Sequence, residues 1–330
     1  MRKHNKKLAS LILFLATRFP RKKIARGEIN IYSHRQPFLI NPILDSFTSQ
    51  TGIKTNVIHS KIGLAERLQA EGKNSPCDVI LTVDIGRLNK YAISDLLQSI
   101  DSEELTQNIP EHLRSKNNTW FGLSKRHRVI VASKEKVPKN EIKRIEDLAN
   151  PEWKGRICSR PGSHVYNRAL MASLIAAHGE KKAEEWAKGL VSNLARRPQG
   201  NDRAQVKAIH EGLCDVAIIN NYYLKKLKNS KKEEQRNWAE SVYLINPNQY
   251  DRGVHVNISG GGVAKYSKNR EEAIKFLEFL SQKHAQELFY KINYEYPVNL
   301  NVEIKEDKVP LDEIAKLLKE AQKIIDKVRW

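Results

Sequence analysis

Three tyrosines stand where a strand hands over to a helix. Tyr222 and Tyr223 follow the apolar run Val216-Ala217-Ile218-Ile219 and two asparagines, Asn220 and Asn221, and they precede Leu224 and Leu227 at helical spacing. The run reads as a strand buried on both faces, and the residues after it as the first turn of a helix. Tyr166 comes directly after Pro161-Gly162-Ser163 and opens a strongly helical segment, so it occupies a second junction of the same kind. In open α/β sheets, ligands bind just beyond the carboxyl ends of the strands. An isolated Tyr-Tyr is more often a packing pair; the second junction sets this one apart. Three phenols at the lip of one sheet face one cleft.

A phenol with a pKa of about 10 ionises near neutral pH only when a strong cation displaces its proton. The phenolate is a hard, anionic oxygen ligand. Ferric iron is the biological cation hard enough to take it, as the tyrosine ligand of some haem irons shows. Three phenolates neutralise one Fe³⁺, so such a centre is balanced without a carboxylate. Free backbone N–H groups at the start of the Tyr166 helix favour an anion, and Ser163 adds a hydroxyl there.

Other constellations are weaker. His210-Glu211 lacks the second histidine of a zinc-binding H-E-x-x-H helix, and Ser259-Gly260-Gly261-Gly262 lacks the Lys-Ser/Thr of a phosphate loop. The glycine run reads instead as a bend in a hinge strand. Cys77, Cys158 and Cys214 form no C-x-x-C and have no histidine at finger spacing, which argues against structural zinc. No nucleophile–base pair or cofactor fingerprint points to an enzyme.

The elements that must position the tyrosines follow from pattern. At 330 residues, with 40% apolar and 29% charged residues, the chain reads as soluble and two-domain. Residues 29–32, 53–58 and 78–83 read as strands that alternate with helices over 37–47 and 64–70, which implies a parallel sheet with crossover helices. Strands over 120–123 and 128–132 lead out of this first unit. The second unit has a strand over 156–159, helices over 165–178, 179–194 and 201–211 (the last capped by Asn201 or Asp202), and the strand before Tyr222. Segments 238–245 and 254–265 read mainly as strand, 270–280 and 282–291 as helices, and 311–328 as one amphipathic helix.

The formal charge is +19, and nine of those charges fall within residues 1–27, which carry no acid. Arg2, Lys3, Lys6 and Lys7 precede an apolar core over 8–16, which is the order of an export signal, although no small-x-small cleavage site follows. That core is far shorter than the roughly 20 residues of a spanning helix, and residues 1–27 are expected to be an export signal or an N-terminal tether. With half the excess charge there and no recognised binding module, the basic balance gives little support to nucleic-acid binding.

The ordered motifs carry a resemblance. Ile31-Tyr32-Ser33-His34-Arg35-Gln36-Pro37-Phe38, Asp78-Val79-Ile80-Leu81-Thr82-Val83-Asp84, Trp153-Lys154-Gly155-Arg156, Pro198-Gln199-Gly200-Asn201-Asp202, Asn220-Asn221-Tyr222-Tyr223 and Tyr294-Glu295-Tyr296-Pro297 resemble, in order, the periplasmic ferric-iron-binding proteins, the solute receptors of iron ABC importers. The resemblance runs from about Glu28 to the C-terminal helix. It implies an α/β, two-lobed periplasmic binding protein fold of type II, each lobe a mixed β-sheet flanked by helices, with the ligand cleft between the lobes. Residues 28–125 and 250–300 would form the first lobe, and 126–249 and 301–330 the second. It further implies Fe³⁺ ligation by Tyr166, Tyr222 and Tyr223, export to the periplasm, a monomer, and delivery to an ABC transporter permease. In an oxidising compartment Cys158 and Cys214 could pair, leaving Cys77 as a buried thiol.

One departure matters. Some relatives place a histidine, or a His-Tyr pair, just after the Ser-x-Arg segment; here Gln36-Pro37-Phe38 stands there, and Phe38 cannot ligate. The resemblance is then to the subset in which the second lobe holds the metal and carbonate or a similar small anion completes the shell. Arg35, Gln36, Arg126, Ser163 and Asn220 are the candidates to hold that anion. Tyr32, His34 and His59 are the first-lobe residues that could ligate in its place. The alternative reading is a receptor of the same fold for another small solute: a polyamine, a phosphonate or chelated iron.

Overall fold

The protein is described here by a computed structural model covering residues 27–299 and 303–330, so the expected export segment over 1–27 lies, but for Gly27, outside the described residues. The strands are β1 (Glu28–Ser33), β2 (Lys54–His59), β3 (Val79–Thr82), β4 (Phe121–Ser133), β5 (Ile157–Cys158), β6 (Val216–Asn220), β7 (Val242–Ile245) and β8 (Val256–Val263). Their order is β2-β1-β3-β8-β4-β6-β5, with β7 also on β4. β1 runs parallel to β2 and β3, and β5 parallel to β6. β8 is antiparallel to β3 and β4, and β4 is antiparallel to β6 and β7, which makes the sheet mixed.

β4 joins the two halves. Phe121–His127 pair with β8, whereas Arg128–Ser133 pair with β6 and β7, so a single strand belongs to both half-sheets of a two-lobed type II fold. The sequence pattern predicts two strands here, broken at Ser124-Lys125-Arg126-His127. The strand runs through because those polar residues are buried with partners. Ser124 Oγ donates to Glu295 at 2.5 Å, Lys125 Nζ pairs with Glu306 at 2.8 Å, and His127 Nε2 meets Glu306 Oε1 at 2.6 Å.

Three other expectations are corrected. The Gly260-Gly261-Gly262 run does not interrupt its strand: it lies within β8 in unbroken register with β3, and the register shift on its other side falls between Gly122 and Ser124 of β4. Its glycines permit close approach, since a Cβ on Gly261 would sit 2.5 Å from the Ile80 carbonyl oxygen. Residues Glu233–Glu240 are helical, and the strand expected over 238–245 begins only at Val242. The tail divides at Leu317 into helices Leu311–Lys316 and Leu318–Val328, which pack on the Val165–His178 helix.

Local chemistry accounts for the helices that reach the site. Pro37 occupies the first turn of Pro37–Thr51, where its missing N–H costs nothing, and Ile40, Ile43, Leu44 and Phe47 form the buried stripe. A small apolar cluster that includes Val129, Val131, Ala217 and Ile219 surrounds the Cys158–Cys214 disulfide, whose Cα atoms lie 5.8 Å apart. Cys77 is a buried free thiol. Among the described residues no helix is long and apolar enough to cross a membrane.

Candidate metal centre

β6 ends at Asn220 and the Asn221–Lys228 helix starts at the next residue, which puts Tyr222 and Tyr223 in its first turn. Leu224 and Leu227 are buried and anchor that helix, so the tyrosines point from a fixed base. Tyr166 is the second residue of the Val165–His178 helix, and its backbone N–H donates to Nδ1 of the capping His164 at 3.3 Å. The two junctions converge: the Tyr222 hydroxyl lies 3.3 Å from that of Tyr166, and the Tyr222 and Tyr223 rings are 4.4 Å apart at 36°. All three rings line one cavity of about 260 Å³, whose lining also includes Arg35, Gln36 and Arg126.

Burial decides the protonation of two of these phenols, Tyr222 and Tyr223. It pushes the Tyr222 hydroxyl well above its ordinary pKa, helped by the proximity of Tyr166 and Tyr223, with the Arg126 charge opposing. It pushes Tyr223 up to about 12, with Tyr166 and Asp202 adding to the rise. In the absence of a cation these groups are neutral phenols. A trivalent ion among them would release protons and gain anionic oxygen ligands in a partly dry site.

A buried polar layer supports the tyrosines from below. The Asp202 carboxylate accepts from Arg128 at 2.6 Å, from Arg160 at 2.9 Å and from the backbone N–H of Asn220 at 2.7 Å. Arg160 and Arg128 in turn lie over the Tyr166 ring, at 5.1 and 5.9 Å from its centroid. Asn220 donates to the Tyr222 hydroxyl at 3.3 Å and accepts from Arg128 at 3.2 Å. Asn220 is thus buried behind the ligand face and is not part of the cavity lining. Sequence reasoning assigned Asp202 only a capping role, and the cap is Asn201, which accepts from Ala204 N–H at 3.1 Å. Arg128, Arg160 and Glu295 were missed as well, because their partners lie 42 to 260 residues away and no local pattern marks them.

The same lining offers cations with unused donors. Arg35 is held by Glu295 at 2.7 Å, yet its Nε and one terminal nitrogen are buried without a partner among the described residues. Arg126 reaches Asp84 at 3.4 Å and Ser259 at 3.3 Å and lies over the Tyr166 ring, and its Nε is likewise unpartnered. Buried guanidinium donors left open in a cleft suit an oxyanion. Gln36 is exposed and on the lining, whereas Ser163 is exposed and off it. Of the three other first-lobe candidates, Tyr32 donates to Glu71 and His59 is off the lining. His34 lines the cleft, with its ring nitrogens 2.8 Å from the Ser60 carbonyl and 2.8 Å from the Tyr91 hydroxyl.

A β-sheet shared between two halves, with a ligand cleft where helices begin, defines a solute receptor that encloses its cargo between lobes. The chain belongs to the bacterial extracellular solute-binding proteins of the ferric-iron-binding family: the model of the former matches residues 74–323. Iron uptake protein A1 of Synechocystis sp. is 45% identical over 314 residues, 92% of this chain and 87% of its own. A Trichodesmium protein solved in complex with iron and citrate ligands superposes with a TM-score of 0.88 at 46% identity, covering 92% of this chain and all of its own. The ferric iron-binding protein A of Mannheimia haemolytica, solved in an open conformation, gives 0.87 at 44% identity over 92% of this chain and 98% of its own.

Proposed function

We propose that this protein binds ferric iron in the cleft through the tyrosinates of Tyr166, Tyr222 and Tyr223, together with carbonate or a similar small anion, and delivers it to an ABC importer. The observation that carries the reading is the meeting of three phenols in one cavity beneath two buried arginines with open donors. Arg35, Arg126 and Gln36 hold the anion, while Asn220 acts through the Tyr222 hydroxyl. Similarity to proteins named for ferric iron binding and iron uptake supports the cargo. The protein works as a monomer in the periplasm, after export directed by residues 1–27, and its partner is a membrane permease. The lobes divide as residues 28–125 with 250–300 and 126–249 with 301–330, a division supported by the change of β4 partners after His127.

In this mechanism the chain does four things. The helix Asn221–Lys228 presents two phenols and Val165–His178 the third. The Asp202 layer keeps them in place before the metal arrives. Burial holds the protons on Tyr222 and Tyr223 until a strong cation displaces them. The Arg35 and Arg126 guanidinium groups offset the negative charge that an added anion brings to an already neutral tris-phenolate centre. The test is a ligand panel on protein freed of metal. Fe³⁺ with carbonate should raise the thermal midpoint and produce a coloured complex, whereas spermidine and methylphosphonate should do neither. Stabilisation by a colourless solute alone would favour a receptor of this fold for another ligand.

A further inference from the structure

A second cavity, of about 600 Å³, lies on the outer side of the second half and shares no lining residue with the cleft. Arg196, Arg197 and Arg329 line it, with Leu194, Pro198 and Trp330 among its apolar walls, and the lining contains no Asp or Glu. Arg196 Nε is buried with no partner among the described residues. Three guanidinium groups that converge on one hollow repel each other, and among the described residues no Asp or Glu side chain of the lining offsets them.

The wall that carries them is fixed. Trp330 is 6% exposed, its indole Nε1 donates to Ser159 Oγ at 3.0 Å, and its carbonyl accepts from Gly162 N–H at 3.1 Å. A Cβ on Gly162 would meet the Trp330 ring at 2.7 Å, so glycine there is what lets the indole seat. Trp186 closes the other side edge-on at 5.7 Å. Arg329 is the left-handed C-cap of the Leu318–Val328 helix, at φ 61°, a conformation that arginine rarely adopts. The wall and the backbone that carry these arginines are therefore set before any ligand arrives, which lowers part of the ordering cost of binding.

We propose that this hollow is a second anion site, separate from the metal cleft, that takes a multivalent oxyanion such as a phosphate or a polycarboxylate. Guanidinium forks match both groups in bidentate geometry, and the indole and proline wall gives the ligand an apolar floor. The experiment is isothermal titration of the metal-free full chain, in chloride buffer, with inorganic pyrophosphate and separately with tricarballylate. Wild type should show a saturable site that Arg126→Gln, in the cleft, retains. Arg329→Gln and Arg196→Gln should each weaken that site by about tenfold or more, the scale of a lost charge-assisted hydrogen bond. Ferric binding should be unchanged in both. Arg329 is exposed, so its variant decides the matter even if Arg196→Gln fails to fold. Response to pyrophosphate alone identifies phosphate as the ligand chemistry, and response to tricarballylate alone identifies carboxylate. The proposal is overturned if wild type shows no saturable site, or if both variants bind as wild type does.

Discussion

Replacing Asp202 by Asn should unsettle the metal centre without touching a ligand. The Asp202 carboxylate is fully buried and accepts three hydrogen bonds, two from guanidinium groups and one from the Asn220 backbone. Asparagine keeps the shape but replaces one acceptor oxygen with a donor amide that faces those donors, and it removes the counter-charge. Taking away one partner of a buried ion pair costs about 3–5 kcal/mol, because the charge left behind stays buried. In a chain of this size that corresponds to a fall of roughly 4–8 °C in the melting midpoint. Arg128 and Arg160 also flank the Tyr166 ring, and Asn220 bonds the Tyr222 hydroxyl, so ferric affinity should fall as well. Differential scanning calorimetry of the metal-free variant, paired with a competitive iron titration, reads both effects. A destabilisation below about 1 kcal/mol with unchanged iron affinity would refute the assignment of Asp202 as the support of the site.

Acidification should release the metal. The buried phenols of Tyr222 and Tyr223 hold their protons more tightly than a free tyrosine, so protons compete with Fe³⁺ more effectively as pH falls and retention must drop. A spectrophotometric pH titration checks this, and a ferric band that persists to the pH where the fold collapses contradicts it. Ferric affinity in buffer free of carbonate and citrate should be weak, and added bicarbonate should restore it in wild type. Arg35→Ala and Arg126→Ala should blunt that response by about ten- to a hundredfold, the range of outer-shell partners; equal affinity without any anion would point to a ligand from the protein, with the cleft-lining His34 the first to substitute. Loss of the Cys158–Cys214 bond in a Cys158→Ser, Cys214→Ser variant should cost about 4 kcal/mol, given the sequence separation of 56. Denaturant unfolding of oxidised wild type and the variant measures it.

Much of the site was legible in the sequence because strand ends and helix starts leave local marks. The apolar run before Asn220, the Pro-Gly-Ser before Tyr166 and the helical spacing of Leu224 and Leu227 mark both junctions within a few residues. The layer beneath was not legible. Asp202 looks like an ordinary residue at a helix start, and only the folded chain brings Arg128 and Arg160 to it, from 74 and 42 residues away. Continuity of β4 was hidden for a related reason. Four polar residues in a row read as an interruption, and the partners that let them stay in the sheet, Glu295 and Glu306, come from the far end of the chain. Proline at the first turn and the buried stripe of Pro37–Thr51 were predictable from local rules alone.

The measurement that bears most directly on the central claim is the visible absorption spectrum of the iron-loaded protein, taken for wild type and for Tyr222→Phe and Tyr223→Phe. Phenylalanine keeps each ring, and the contacts of the Tyr222 hydroxyl to Asn220 and Tyr166 are long, at 3.3 Å, so the metal-free variants should melt close to wild type. Wild type should carry an intense ferric–phenolate band, and each variant should lose or shift it while binding iron more than about a hundredfold less tightly, beyond what an outer-shell partner costs. An iron-loaded wild type with no such band, or variants with its full intensity and unaltered ferric affinity, would contradict tyrosinate ligation in this cleft.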